Sequence, residues 1–231
     1  LFRSATGVQK VVYTSSAGVL GNSVRSPLTE DDPRISGLSN DYDLSKAMAE
    51  QLVRDFANDR MNAVIVNPTR VYGGGTMSYS NAISRMLIEF LNRKNSSVPG
   101  CMNVVANYSY VHDVVSGHQL AMSRGRNKER YILGGENVTY GAFYDLLREL
   151  TGITTLRPVP VGLMKLVGAF HLLNYHLFRK DPPFTPYIIG RYFKDAALSS
   201  EKAIHELGYR ITPFKEGLAA TIAYLKKENH A

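Results

Sequence analysis

Short apolar runs alternate with stretches of helical periodicity along this chain. Lys10 to Thr14 (Lys-Val-Val-Tyr-Thr) and Ala63 to Val66 (Ala-Val-Ile-Val) are nearly continuous in apolar character. That pattern predicts parallel strands buried on both faces. Between them Leu44, Ala47, Met48, Leu52, Val53 and Phe56 recur at helical spacing, so a helix is expected from about Tyr42 to Asn58. Strand, loop, helix, strand is by default a right-handed crossover. Leu1 to Thr6 reads as the tail of a helix stopped at Gly7. Gly21 to Asn40 is a polar loop with Pro27 and Pro33, read as an excursion over the rim of a site. Asn67 to Gly75 reads as a turn-rich loop.

Further along, helices are expected over Asn81 to Leu91, from His112-Asp113 to about Met122, over Thr139 to Leu150 with Gly152 as the stop, over Ser199 to Leu207 with Gly208 as the stop, and over Phe214 to Lys227. Val104 to Ala106 and Tyr131 to Leu133 read as strands, the second ended by Gly134-Gly135, and Leu156 to Pro160 as a short extended segment. Val161 to Phe178 is apolar but interrupted by Lys165, His171, Asn174 and His176. It predicts a helix or helix pair that covers something apolar, and Pro182, Pro183 and Pro186 then break the chain. There is no internal repeat.

Composition narrows the class. The 231 residues suffice for one large domain, or a core domain with a smaller lobe, and 44% hydrophobic with 20% charged residues is ordinary for a globular protein. The net charge of +7 is scattered and lacks the basic stripe interleaved with aromatics that nucleic acid would want, so no nucleic-acid partner is expected. No uninterrupted apolar run is long enough to span a bilayer, so no stable membrane insertion is expected. Cys101 is the only cysteine, which rules out an internal disulfide and a cysteine-based metal site and fits a reducing, cytoplasmic compartment. The six histidines show no metal-ligand spacing, so no metal is expected.

Candidate chemistry begins at Tyr42-Asp-Leu-Ser-Lys46. Residues four apart on a helix share a face, one turn apart. An ammonium there favours phenolate and is expected to draw the tyrosine below its ordinary value of about 10. Such a phenol can pass a proton to or from a substrate oxygen. Among 14 tyrosines about one such spacing arises by chance, so the pair needs context. Thr14-Ser15-Ser16-Ala17-Gly18 supplies it: small hydroxyl residues just past a parallel strand sit where open α/β sheets bind ligands.

With these stretches in order, the chain resembles the extended short-chain dehydrogenase/reductase family. The resemblance is carried by Val-Val-Tyr-Thr-Ser-Ser-Ala-Gly (11 to 18), Tyr42 with Lys46, Asn-Pro-Thr-Arg-Val-Tyr-Gly (67 to 73), Tyr-Val-His-Asp-Val-Val (110 to 115), Tyr-Ile-Leu-Gly-Gly-Glu-Asn-Val-Thr (131 to 139) and Glu-Leu-Gly-Tyr (206 to 209). It covers most of the chain and is weakest over Lys165 to Pro186. It implies an α/β fold, the C-terminal portion of a Rossmann-type doubly wound parallel sheet plus a smaller, mainly helical substrate lobe. The implied division is 1–75 and 76–231, with 110–135 returning to the sheet. It implies NAD or NADP as cofactor and Ser16, Tyr42 and Lys46 as the catalytic set. Thr14, Ser15, Tyr42, Lys46, Pro68, Thr69 and Val71 would line the cofactor. Ala17, Arg70, Tyr72 and Tyr110 are candidates for substrate contact.

The family's Gly-x-x-Gly-x-x-Gly fingerprint is absent, and Gly73-Gly74-Gly75 follows the wrong strand with the wrong spacing. The expectation is therefore the C-terminal portion of a longer enzyme, without the segment that separates NAD from NADP. The Lys10 strand would then be an exposed apolar edge, so a chain of low solubility, or one paired with a second copy as a homodimer or with its other half, is expected. The first functional reading is an NAD(P)-dependent oxidoreductase of a small, hydrophobic carbonyl or alcohol substrate, similar to dihydroflavonol reductase-like and 3β-hydroxysteroid dehydrogenase-like members, with the Val161 helix roofing the pocket. A nucleotide-sugar epimerase using the same three residues is the alternative. A 4,6-dehydratase is disfavoured because Ser16-Ala17 stands where that reaction needs an Asp-Glu pair. A non-catalytic binding protein on the same scaffold is the third reading.

Overall fold

Strand β2 (Asn62–Pro68) is the centre around which the first part of the chain is built. The computed structural model describes residues 7–23, 27–35, 37, 40–58, 61–76, 81–92, 97–154, 157–178 and 193–228, with only the backbone for 97, 99 and 171–178. The expected helix tail at Leu1 to Thr6 and the prolines at 182, 183 and 186 lie outside the described residues. β2 pairs in parallel with β1 (Lys10–Thr14), Val12 opposite Val64, and with β6 (Arg130–Leu133), Val66 opposite Tyr131. The sheet order is β1-β2-β6.

Both faces of this sheet are covered, and the alternation of side chains along each strand decides what faces what. Val12, Val64 and Val66 point into a cluster with Val114 and Ala121 of helix α3 (Val111–Arg124). Tyr13 and Asn67 point the other way, toward helix α1 (Asp41–Phe56), whose Lys46 ammonium lies 5.3 Å from the Tyr13 ring centre. The α/β class and the doubly covered parallel sheet are as the sequence implied. β2 is buried from Ala63 to Pro68, whereas Val11, Val12 and Tyr13 of β1 are only half-buried. No strand pairs with the outer edge of β1 among the described residues.

Helix α1 opens on Asn40, whose side chain accepts from the Asp43 N–H at 2.5 Å and donates to the Asp43 carboxylate at 2.9 Å. Its apolar stripe faces outward: Leu44, Met48, Leu52 and Phe56 are 43%, 60%, 56% and 49% exposed. Asp43 and Glu50 are its buried side chains. The helix thus turns its charged face to the sheet, the reverse of an ordinary surface helix.

The second layer is a mixed sheet of order β3-β5-β7, made of Arg70–Tyr72, Val105–Tyr110 and Glu136–Thr139, parallel between β3 and β5 and antiparallel between β5 and β7. Helices α2 (Ala82–Leu91), α4 (Tyr140–Thr151) and α6 (Phe214–Lys227) pack their apolar faces on it. Leu87, Phe90, Phe143, Leu147, Phe214, Leu218 and Ile222 meet Tyr72 and Tyr108 in one core, with Tyr108 stacked on Phe143 at 5.2 Å. A two-stranded parallel pair, β4 (Ser97–Pro99) and β8 (Arg157–Val159), lies apart.

Two expectations are corrected. The 67–75 stretch contains β3; Pro68 and Gly73 mask it in sequence, and β5 supplies its ladder. The Val104 strand runs on to Tyr110, because β3 and β7 pair with its polar half. β4 and β7 have no apolar run to announce them. Helix α3 opens at Val111, as expected, and its Asp113 carboxylate accepts from the Thr212 N–H at 2.8 Å and hydroxyl at 2.7 Å and ties the approach to α6 onto α3. The segment before Gly208 is helical as expected but widens into a π-helical turn over Ala203–Leu207.

Candidate functional site

Three chain segments meet at the C-terminal ends of β1 and β2. After Thr14 the chain bends into a single 3-10 turn, Ala17–Val19, with Ser16 as its N-cap: the Ser16 hydroxyl oxygen accepts from the Gly18 N–H at 3.1 Å. The hydroxyl hydrogen is not used in that bond and can be donated onward. Helix α1 packs against this turn and against β2. It brings Lys46 to β1, where the ammonium donates to the Thr14 carbonyl at 2.8 Å. Tyr42 lies one turn earlier on α1 and is 57% exposed.

A buried polar network joins these segments. Glu50, one turn beyond Lys46 and 2% exposed, accepts from the Asn67 side-chain amide at 2.8 Å. The same amide donates to the Ser16 carbonyl at 3.0 Å. The other Glu50 oxygen pairs with Arg130 of β6 at 2.6 Å. Glu30 of the rim loop accepts from the Ile132 N–H at 2.7 Å, and burial pushes its carboxyl above the ordinary value. Burial first, then the nearby Glu50 carboxylate, also pushes the Tyr13 phenol up.

Two buried polar atoms at the strand ends have no hydrogen-bond partner among the described residues: the Ser15 hydroxyl and the Asn67 side-chain oxygen. Ser15 is 4% and Asn67 0% exposed. Buried polar groups are nearly always satisfied, so orphans at the carboxyl ends of parallel strands mark a place where a polar ligand fits.

Ser16 also lines a cavity of about 90 Å³. Ser16, Ala17, Gly18, Gly21 and Asn22 form one wall, Pro68, Thr69 and Arg70 a second, and Asn107 of β5 with Ala196 and Leu198 a third. The Arg70 guanidinium donates to the Tyr140 hydroxyl at 2.8 Å and lies 5.8 and 5.5 Å from the ring centres of Tyr108 and Tyr140. Thr69 donates to the Ser109 hydroxyl at 3.1 Å.

The expected residues therefore divide. Ser16, Ala17, Pro68, Thr69 and Arg70 share the cavity. Thr14 and Ser15 stand at the end of β1, where Lys46 is bound to Thr14, and the Thr14 hydroxyl is 2.9 Å from His118 Nε2; Tyr42 is exposed on α1 one turn before Lys46 and does not line the cavity. Val71 packs in the core under α3, and Tyr110 packs against the second core. Tyr72 is 2% exposed, edge-on to Phe214 at 5.4 Å, and burial pushes its phenol well above the ordinary value. None of these three lines the cavity. The helix expected as its roof, α5 (Val161–Phe178), does not line it with any described side chain; Leu163, Leu166, Val167 and Phe170 are exposed. The sequence pattern did not single out Glu50, Asn67, Asn107 or the Ala196–Leu198 wall. Asn67 alone left a signal, as a polar residue closing an apolar strand.

Among the described residues no cluster of metal-ligating side chains occurs, and no helix is long and apolar enough to cross a membrane. The sequence matches the family described as "NAD dependent epimerase/dehydratase family" over residues 2–134. It is 30% identical over 228 residues to the "Sterol demethylase protein B" of Methylococcus capsulatus, covering 96% of this chain and 67% of that one. It is 28% identical over 232 residues to a "Putative dihydroflavonol 4-reductase" of Synechocystis, covering 97% of this chain and 66% of that one. The chain thus spans about two thirds of the length of these relatives. The fold superposes on the UDP-glucose 4-epimerase of Thermotoga maritima with a TM-score of 0.76 at 24% identity, over 98% of this chain and 66% of that one.

Proposed function

The chain belongs to the NAD dependent epimerase/dehydratase family, and from that premise we propose that it forms the catalytic part of an NAD(P)-dependent oxidoreductase acting on a carbonyl or secondary alcohol. One observation carries the reading. Ser16 and the helix bearing Tyr42 and Lys46 are bound to the same two strand ends, through Lys46 to Thr14 and through Glu50 and Asn67 to Ser16.

The residues present fit the nicotinamide end of a dinucleotide. Thr14, Ser15, Lys46, Pro68 and Thr69 would hold it, and the orphaned Ser15 hydroxyl is a polar group such a ligand would satisfy. When bound, the cofactor supplies or accepts the hydride. Ser16 donates its hydroxyl hydrogen to the substrate oxygen and fixes that oxygen beside the cavity. Tyr42 passes a proton to the oxygen in reduction and takes it in oxidation. Lys46, held on the Thr14 carbonyl, offers its remaining hydrogens to ribose hydroxyls. Arg70, set between two tyrosine rings, reads a polar group on the far side of the substrate.

The two relatives matched over nearly the whole chain favour a hydrophobic, ring-bearing substrate of the sterol or flavonol kind. A nucleotide-sugar epimerase is the second reading, favoured by Arg70 in the cavity wall, where a sugar-nucleotide's anionic group would be met. The test follows NADH or NADPH consumption with steroid, flavanone and aliphatic ketones, beside Tyr42→Phe. Ketone-dependent oxidation lost by at least about 100-fold in Tyr42→Phe supports the reductase. Interconversion of UDP-hexoses without net cofactor consumption supports the epimerase. Neither activity in a folded protein leaves the binding-protein reading.

A further inference from the structure

The charged face that α1 turns toward the sheet is out of keeping with the rest of the fold. Glu50 is a carboxylate at 2% exposure, and burying it is costly unless it is paired and hydrogen-bonded. It is both, and its partners are informative. Arg130, with a side chain 17% exposed, balances the charge at 2.6 Å. Asn67, fully buried, donates one amide group to Glu50 at 2.8 Å and to the Ser16 carbonyl at 3.0 Å. Through that shared amide the buried carboxylate reaches the main chain of Ser16.

We propose that Glu50 is a positioning residue: through Asn67 it fixes the main chain of Ser16 relative to the helix that carries Tyr42 and Lys46. The mechanics follow from the connectivity. Lys46 and Glu50 are one helical turn apart, so their two attachments, to Thr14 and to Asn67, hold α1 at two heights against β1 and β2. A helix held at one height can slide or roll; held at two it cannot. The Ser16 hydroxyl and the Tyr42 phenol must converge on one substrate oxygen, and a displacement of about 1 Å between such groups costs up to roughly 100-fold in rate. This inference rests on the functional reading above, in which Ser16 and Tyr42 act on the same atom.

The test replaces the ion pair as a unit, Glu50→Met with Arg130→Met, so that volume is kept and no buried charge is stranded. Turnover of the full chain is measured in the parent, in the paired variant, in Ser16→Ala, and in Ser16→Ala carrying the pair, with thermal denaturation confirming that each is folded. We expect kcat of the paired variant to fall about 10- to 100-fold, with KM changed less than about 3-fold. In the Ser16→Ala background the pair costs less than about 3-fold, because Glu50 acts through Ser16. Unchanged kcat, or an equal loss in both backgrounds, overturns the proposal while the functional reading stands. If the paired variant does not fold, Asn67→Leu replaces it in the same four-way comparison: a loss confined to the Ser16 background supports the proposal, and no loss or an equal loss overturns it. No turnover in the parent itself overturns both, and is told apart by that fact.

Discussion

Gly117 is a point of close approach between α3 and the β1-β2-β6 sheet, and Gly117→Ala measures how tightly the two are packed. A Cβ there would lie 2.7 and 2.8 Å from the two Leu133 methyl carbons and 3.1 Å from Tyr209 Cε2. Leu133 is 0% and Tyr209 2% exposed, so neither has free space to retreat into. Tyr209 also donates to the Gly134 carbonyl at 2.9 Å, a bond that moving the ring would strain. Overpacking of this kind costs roughly 1–3 kcal/mol. Replacing Gly by Ala within a helix returns about 1 kcal/mol. The clash wins by about 1 kcal/mol, which for a chain of 231 residues is a fall in Tm of roughly 2–4 °C. Urea denaturation should show a lower midpoint at unchanged slope. Combining the change with Leu133→Val should cost less than the two single losses added together, since removing one methyl relieves the contact. A Gly117→Ala protein as stable as its parent, or more so, would refute the packing argument.

Other consequences follow from the same geometry. Burial raises the Glu30 carboxyl above its ordinary 4.5, so the folded chain holds that proton to higher pH than the unfolded one, and the stability it contributes declines as pH rises above 4.5. Glu30→Gln, which keeps an acceptor for the Ile132 N–H, should therefore match or exceed the parent in stability at pH 7 and lose that advantage as pH falls toward 4.5; a variant weaker than the parent at pH 7 contradicts this. The outward stripe of Leu44, Met48, Leu52 and Phe56 and the unpaired edge of β1 predict self-association. Light scattering at tens of micromolar should give a mass above one chain, reduced by Met48→Lys with Leu52→Lys, whereas a monodisperse single chain would refute it.

What could be read from the sequence followed the physics of each element. β1 and β2 are announced by unbroken apolar runs, and α6 by a clean period between Pro213 and Lys227. β3, β4 and β7 are three or four residues long, and only their partners make them strands. In α1 the period was visible but its sense was not. Leu44, Met48, Leu52 and Phe56 look like a core face until Asp43 and Glu50 are seen beneath them. Ser16, Tyr42 and Lys46 came from a family resemblance, and the structure gathers their segments at one sheet end. Glu50 and Asn67 are 17 positions apart in sequence, and nothing local joins them. Tyr72 shares a face of β3 with Arg70, two residues before it, but there the ring of Phe214 of α6 covers it, a packing that no local pattern announces.

Every functional step above requires a nicotinamide dinucleotide to bind at the ends of β1 and β2. Thermal denaturation of the chain with saturating NAD, NADH, NADP and NADPH asks this most directly. A ligand at about a hundred times its dissociation constant adds roughly 2.7 kcal/mol, a rise in Tm of about 5–11 °C for a chain of this size. The expected result is such a rise with at least one of the four, diminished in Lys46→Met. No rise with any of them, in a chain that unfolds cooperatively, would contradict the proposed function.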